Sequence, residues 1–331
     1  MRPYFSIIIP TRSITPELIR ETFIALNNQK FKQFEVIVSP DKTVSSDKRL
    51  LKEYPWLKLS YPKNIHRPGD KRDSAAKDAR GDILVFLDDD AYPTPDWLFN
   101  AHAIFSTEQI AALGGPGILT KNASFWERVF DAMLRTWVGS GSYTYRFTPQ
   151  ARRYVDDYPS MNLMIRRVVF ERIGGFGNQH WPGEDSKLLN KFIKHEKQFI
   201  LYDPTVVVYH HRRDTFIGHL IQHKNYGVTR GKFAAQGDAN STHLMYIVPA
   251  FFTVYLFALV VAWSVGWSGP VFQVFSGGLY LYVVLLGYVF MASFLSSESV
   301  IIALLAMMTV PMTHLVYGIW FMKGYVQELK G

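Results

Sequence analysis

The sequence predicts an α/β domain on a mostly parallel sheet, then an amphipathic helix at a membrane surface, then C-terminal transmembrane helices. Three observations carry this reading. Short β-rich runs (FSIII, FEVIV, LKLS, DILVFL) alternate with helical patterns through the first third of the chain, the rhythm of βαβ units. FSIII and ILVFL are apolar throughout rather than alternating, as strands covered on both faces require. Finally, of 36 Lys and Arg and 28 Asp and Glu, only Glu298, Lys323, Glu328 and Lys330 lie beyond His243. No charged residue or histidine occurs from Leu244 to Ser297, far longer than the roughly 20 apolar residues that cross a bilayer. A purely soluble protein is excluded.

The elements follow in order. FSIII leads through Pro10 into the helical pattern ITPELIRETFIALNNQ; FEVIV and LKLS are the next strands, and a polar helix precedes DILVFL. Ligands of such sheets lie beyond the C-terminal strand ends, which selects Pro10 to Arg12, Pro40 and Asp41, and Asp88 to Asp90. IAALGG is a fifth strand ending at Gly114 and Gly115, and a helix runs from Asn122 to about Trp137. The polar, aromatic and aperiodic stretch from Gly139 to Tyr158 reads as a loop near a site. MNLMIR is a strand, RVVFERIGGF a short helix closed by glycines, and EDSKLLNKFIKHE a helix with acids in its first turn. FILYDPTVVVYHH is an extended pair broken at Pro204. From Asp214 to Ala235, Phe216, Ile217, Leu220 and Ile221 recur at helical spacing, as in an interfacial helix or an ordinary surface helix packed on the sheet. Spans are expected near 244–266, 271–295 and 299–322, with Gly269 and Pro270 at the first turn. The expected domains are thus 1–210, a juxtamembrane segment 211–243, and a membrane domain 244–331.

Composition narrows the chemistry. The net charge of +8 could suggest nucleic acid, but Arg212, Arg213, Lys224, Arg230 and Lys232 crowd directly before the first span. Anionic lipid is the simpler partner for them, and no nucleic acid is expected. With zero Cys there is no disulfide framework, thiol catalysis or Cys-ligated metal; any metal is held by oxygen or imidazole. The N-terminus MRPYFSIIIPTRS lacks a secretory core, so the sheet domain is expected in the cytoplasm. Three crossings would then put Lys323 to Gly331 on the other side.

Three clusters carry reactive groups. Asp88, Asp89 and Asp90 directly follow DILVFL. Adjacent carboxylates repel, and a divalent cation with oxygen ligands would compensate them, Asp88 and Asp90 pointing the same way; a solvated acidic turn is the alternative. Glu184 and Asp185 open a helix after Gly183, where a carboxylate serves as general base or merely as a cap. YHHRR, at 209–213, offers an imidazole from His210 to the same cation, or is a basic step toward the membrane.

SIIIPTR, FEVIV followed by Asp41, PGDKRDSAAKDARGDILVFLDDDAYPTPDWL, GGPG, MNLMIRRVVFERIGGF, PGED and VVVYHHRR occur in the order and approximate spacing of family 2 glycosyltransferases. The chain resembles that family over roughly residues 4–235. The resemblance implies a GT-A fold, a Rossmann-like nucleotide-diphospho-sugar transferase domain. It places Pro10, Thr11 and Arg12 at the nucleotide, Asp41 at the base, and Lys71 and Arg72 near base and diphosphate. Asp88, Asp89 and Asp90 fall on the DxD that binds ribose and the metal–diphosphate unit, with Asp90 and His210 on the metal, Mn²⁺ or Mg²⁺. Asp185 matches the catalytic base, and Gly114, Gly115, Asn162, Trp181 and Glu184 would line the donor or acceptor pocket. Departures are Ser39 and Pro40 before Asp41, Asp73 where Asn is usual, and no QxxRW signature, YGVTRG lying in that region. Processive synthesis is therefore disfavoured.

A single base without a protein nucleophile implies inversion. The expected activity is metal-dependent transfer from a UDP-, GDP- or dTDP-sugar to a hydroxyl of a lipid-linked glycan at the cytoplasmic face of the inner membrane. The alternatives are a polyprenyl-phosphate glycosyltransferase, whose anionic acceptor needs no base, and a membrane-anchored scaffold of the same fold without turnover.

Overall fold

The wholly apolar runs become strands whose two faces are both covered. In the computed structural model, which describes residues 2–43, 47–177 and 180–330, these are β1 (Phe5–Pro10) and β4 (Ile83–Leu87), joined by β2 (Phe34–Ser39), buried throughout although it carries Glu35, and the partly buried β3 (Leu57–Leu59). They are followed by β5 (Ala91–Pro93), β6 (Ala112–Gly114), β7 (Gly117–Leu119), β8 (Arg153–Val155), β9 (Asn162–Arg166), β10 (Ile200–Tyr202) and β11 (Val208–His210). The helices are α1 (Ile24–Asn27, continuing a π-helical turn at Leu18–Phe23), α2 (Asp47–Glu53), α3 (Pro68–Asp78), α4 (Trp97–Thr107), α5 (Phe125–Leu134) and α6 (Trp137–Ser140). Then come α7 (Arg167–Arg172), α8 (Glu184–Glu196), α9 (Phe216–Ala235), α10 (Leu244–Ser264), α11 (Pro270–Ser297) and α12 (Val300–Lys330).

The chain divides into two units, Met1–Lys121 with Thr148–His211, and Asn122–Phe147 with Arg212–Gly331. Residues 122–147 thus pack with the C-terminal helices, although they lie inside the 1–210 stretch expected to be one domain.

In the first unit the eight-stranded sheet has the order β3-β2-β1-β4-β9-β6-β10-β8. β1 to β4 are mutually parallel, while β9 is antiparallel to both β4 and β6, and β8 to β10. Apolar runs do not encode strand direction, so the reversed β9 was not legible. Side chains alternate across the sheet. Ile7, Ile9, Val36, Val38, Val85 and Leu87 meet Leu18, Phe23, Trp97, Leu98 and Phe105 on one face. On the other, Phe86 meets Phe170 and Phe176, with ring centroids 5.2 and 4.9 Å away. Each such buried side chain contributes about 1.5–3 kcal/mol.

A second, three-stranded sheet, β5-β11-β7, sets the site: its register puts His210 opposite Ala91, one residue past the acid run.

In the second unit α5 starts in a reciprocal cap, Glu127 N–H donating to Ser124 Oγ (3.4 Å) and Ser124 N–H to Glu127 Oε2 (2.7 Å). Its apolar face, Val129, Phe130 and Met133, packs with Val289, Ile302, Ala306 and Val310 of α11 and α12. α10, α11 and α12 are each long and apolar enough to cross a membrane. α12 reaches Lys330, well past the expected end at 322. The helical pattern at 216–235 is α9, and its glycine face packs on α12 rather than on the sheet.

Candidate active site

The site is built where β1, β2 and β4 end. At the end of β1, Thr11 N–H donates to Ser39 O (3.1 Å), and the Thr11 hydroxyl donates to Asp89 Oδ2 (2.6 Å). Lys71, from the first turn of α3, is buried; its ammonium donates to Thr11 O and pairs with Asp41 Oδ1 at 2.5 Å. Burial acts upward on the Asp41 carboxyl, but Lys71 and His66 outweigh it and hold the group below its ordinary value. Asp41 N–H donates to Arg12 O, and the Arg12 side chain is exposed. Pro10 is the buried last residue of β1.

Arg72 joins two of the predicted clusters. Its guanidinium donates to Asp88 Oδ1 at 2.5 Å and to Glu184 Oε1 at 3.0 Å, and it lies over the Phe176 ring. Burial pulls against its charge, but Asp88, Glu184 and Asp185 around it hold its pKa above the usual arginine value. One cation does not neutralise three carboxylates. Burial, with Asp185 beside it, therefore pushes the Glu184 carboxyl up to about 7, although Arg72 opposes the shift. Asp89 is likewise pushed up to about 6, by burial first and then by Asp90 and Asp88, against the bond from Thr11.

The third cluster closes on the first. His210 Nε2 lies 3.1 Å from Asp90 Oδ1, and His211 N–H donates to Asp90 O. Asp88, Asp90 and His210 each offer one ligand atom, all within 4.8 Å of one another. Two carboxylate oxygens and an imidazole at a locally acidic strand end suit a hard divalent cation. The neighbouring His211 turns elsewhere, with Nε2 2.9 Å from Glu21 Oε2. Strand alternation separates the two imidazoles.

Asp185 follows Glu184 in the first turn of α8, whose preceding Gly183 has φ of 102°, a conformation glycine adopts without strain. Ser186 N–H donates to Asp185 Oδ1 at 2.8 Å. Glu184 is buried against Arg72, whereas Asp185 is only partly buried.

Three of the expected pocket residues, Asn162, Gly115 and Gly114, also make close contacts within the fold. Asn162 is fully buried; its amide donates to Gly115 O (2.6 Å) and Val206 O (2.8 Å), and its oxygen accepts from Trp97 Nε1 (2.9 Å). A Cβ on Gly115 would lie 1.9 Å from Val206 O, and one on Gly114 2.7 Å from Tyr158 Cδ1. These residues tie strand ends together, with their polar atoms turned inward. Trp181 is exposed. Asp73, a departure from the family pattern, has a carboxylate that accepts from Phe176 N–H and Gly177 N–H, both at 2.8 Å, and so fixes the loop after α7. Its signal was an acid where a neutral amide was expected. Arg212, the first arginine of YHHRR, pairs with Asp131 at 2.9 Å in the helical unit. A recess of about 640 Å³ lined by Arg2, Pro3, Ala79, Arg80 and Arg167 lies at the opposite, N-terminal strand ends and holds none of these groups.

The comparisons agree with this geometry. The sequence model described as "Glycosyl transferase family 2" matches residues 6–174. No curated protein matches significantly. Among solved structures, the chain is similar to the mannosyltransferase PcManGT from Pyrobaculum calidifontis in complex with GDP-Man and Mn²⁺, with a TM-score of 0.64 at 17% identity, over 99% of this chain and 88% of that one. S. aureus TarS 1–349 in complex with UDP-GlcNAc matches with a TM-score of 0.43 at 18% identity, over 68% of this chain and 66% of that one. With more than half of its length matched by that model, the chain belongs to glycosyl transferase family 2 and is a glycosyltransferase.

Proposed function

We propose that the enzyme moves one sugar from a nucleotide-sugar donor to a hydroxyl of a lipid-linked glycan, with inversion, at the cytoplasmic face of the inner membrane. The observation that carries this reading is the Arg72 bridge: one buried guanidinium contacts both Asp88 of the acid run and Glu184 next to Asp185. A diphosphate held at the first and a proton acceptor at the second can then share one sugar between them.

Asp88, Asp90 and His210 would hold Mn²⁺ or Mg²⁺, whose charge offsets that gathering on the departing diphosphate. Thr11, Arg12 and Asp41 would line the nucleotide. Lys71 keeps Asp41 and the end of β1 in register. In the step itself, the acceptor oxygen bonds to the anomeric carbon as the carbon–oxygen bond to the diphosphate breaks, and the electron pair leaves with the diphosphate. The hydroxyl proton passes to Asp185. Glu184 stays with Arg72, and Trp181 offers an exposed ring to the acceptor. The PcManGT complex with GDP-Man and Mn²⁺ supports a nucleotide sugar and a divalent ion. The juxtamembrane cations and the apolar helices support a lipid-borne acceptor and the cytoplasmic face.

The test is a thermal-shift screen of UDP-, GDP- and dTDP-sugars with Mn²⁺ on the detergent-solubilised full chain, then transfer assays with the donor found. A donor that stabilises only with the metal, together with a glycosylated lipid product, is expected. A sugar monophosphate lipid as sole product would point to a phosphate acceptor instead. Stabilisation by no donor would overturn the reading.

A further inference from the structure

By length and composition α10, α11 and α12 are three equivalent spans, but their packing differs. Only 6% and 11% of the apolar windows of α10 and α11 are buried in protein, against 33% for α12. The buried residues of α12 include Ile302, Ala306, Thr313, Tyr317, Phe321 and Gly324, one stripe along the whole helix.

What covers that stripe decides where α12 can lie. Its second half runs alongside α9. His219 Nε2 meets Thr313 Oγ1 at 3.0 Å and Gln236 donates to Glu328 Oε1 at 2.7 Å, pairs 94 and 92 residues apart in sequence, so the two helices are parallel and in step. The backbones nearly touch: a Cβ on Gly231 would lie 2.1 Å from Phe321 O, and one on Gly324 2.1 Å from Val228 O. Were this half to cross hydrocarbon, α9 would go with it, carrying Lys224, Arg230 and Lys232 into a core that strongly disfavours charged side chains. The remaining part, from Val300 to Met312, is about 20 Å long at 1.5 Å per residue, short of the roughly 30 Å core. That part packs on α5 through Ile302, Ala306 and Val310, and His314 Nε2 lies 3.1 Å from Val138 O of α6. The α5–α6 segment joins the sheet domain by continuous chain at both ends, and α9 follows it after four residues. Every part of α12 is thus against a helix tethered on the sheet domain's side.

The contacts with α10 and α11 agree. A Cβ on Gly318 would lie 2.3 Å from Pro249 O, in the first turns of α10, while Ile302 and Ala306 share a cluster with Val289 in the last turns of α11. Ser293, near the end of α11, donates to Ala132 O of α5. α12 therefore runs from the base of one helix to the base of the other, rather than from base to tip. Opposite its buried stripe, Ile301, Met308, Met312, Ile319 and Val326 form an exposed apolar line.

We propose that α10 and α11 alone enter the bilayer as a hairpin, and that α12 lies with α9 along the membrane surface, its exposed apolar line in the lipid of the near leaflet. Lys323 to Lys330 then share the sheet domain's side of the membrane. This reading does not depend on which sugar is moved.

The chain has no cysteine, so single-cysteine variants report cleanly. Lys63→Cys marks the sheet domain, Ser268→Cys the turn between α10 and α11, and Lys330→Cys the end of α12; all three positions are exposed. In sealed vesicles treated with a membrane-impermeant maleimide, Lys330→Cys should label to the same fraction as Lys63→Cys, and Ser268→Cys only after detergent. Protection of Lys330→Cys where Lys63→Cys reacts would overturn the surface placement of α12. Labelling of Ser268→Cys together with Lys63→Cys would overturn the inserted hairpin. Should a variant fail to fold, an epitope appended to the unaltered chain gives the same answer: it should be cut by protease from the sheet domain's side, and resistance would overturn the proposal.

Discussion

Asp185 and Glu184 are neighbours with opposite environments, and their difference sets two predictions. Asp185 is partly open and, in the proposed reaction, takes the acceptor proton. Asp185→Asn should lower the transfer rate by about 10² to 10⁴ while leaving the metal-dependent thermal shift by donor intact. A variant transferring at the native rate would remove Asp185 from that role. Glu184 is buried on Arg72, with its carboxyl raised from 4.5 to about 7. Across that window the folded chain keeps a proton that the unfolded chain releases, so stability falls as pH rises from about 4.5 and the loss is complete above about 7. Glu184→Gln keeps a hydrogen-bonding oxygen without a charge. Melting temperatures across pH 5 to 8, a range of order the shift itself, should fall less steeply in the variant; equal slopes would assign the dependence elsewhere.

At the scale of elements, two seams depend on single residues. Asn162 links β9 to the chain ahead of β7 and β11 through Gly115 O and Val206 O, with Trp97 Nε1 as its third partner. Asn162→Ala strands one buried donor, Trp97 Nε1, and one acceptor, Val206 O, while Gly115 O keeps the Tyr158 hydroxyl, and should cost about 2 kcal/mol or more at about 1–3 kcal/mol per unsatisfied group. Chemical denaturation reads the change. In the helical unit, Gly231→Ala drives a methyl into Phe321 O, and overpacking of this kind typically costs about 1–3 kcal/mol. The variant should melt earlier in detergent and lose protection from proteolysis between α9 and α10. Gly237→Ala tests something different: a Cβ there meets nothing within 4 Å, but φ of 76° makes it a strain control without a clash.

For the molecule as a whole, the acidic strand end must be offset for a diphosphate to bind. Chelation with EDTA should abolish both donor-induced stabilisation and transfer, and Mn²⁺ or Mg²⁺ should restore them. The stabilisation should grow as RT ln(1 + [L]/Kd) with donor concentration. Donor binding unaffected by EDTA would assign charge compensation to Lys71 and Arg72 alone. His210→Ala should weaken the metal response while His211→Ala, whose imidazole pairs with Glu21, should leave it unchanged.

Much was legible before any coordinate. Apolar runs fixed β1, β2 and β4, because a strand buried on both faces has no polar alternative, and strand ends pointed to Thr11, Asp41 and Asp88 to Asp90. A charge-free stretch marked α10 and α11 as long and apolar enough to cross a membrane, because hydrocarbon admits little else. Sequence named His210 rather than His211, but could not tell the reversed β9 from a parallel strand or show which groups Asn162 and Gly115 face. Each of those depends on partners far along the chain. The partner of Arg72 belongs to the same class: a guanidinium placed between Asp88 and Glu184 is set by α3, β4 and α8 meeting at one point. The same reason divides the three apolar helices. Hydropathy measures what a helix could enter, but whether α12 faces lipid or protein depends on α5 and α9, which pack against it only in the folded chain.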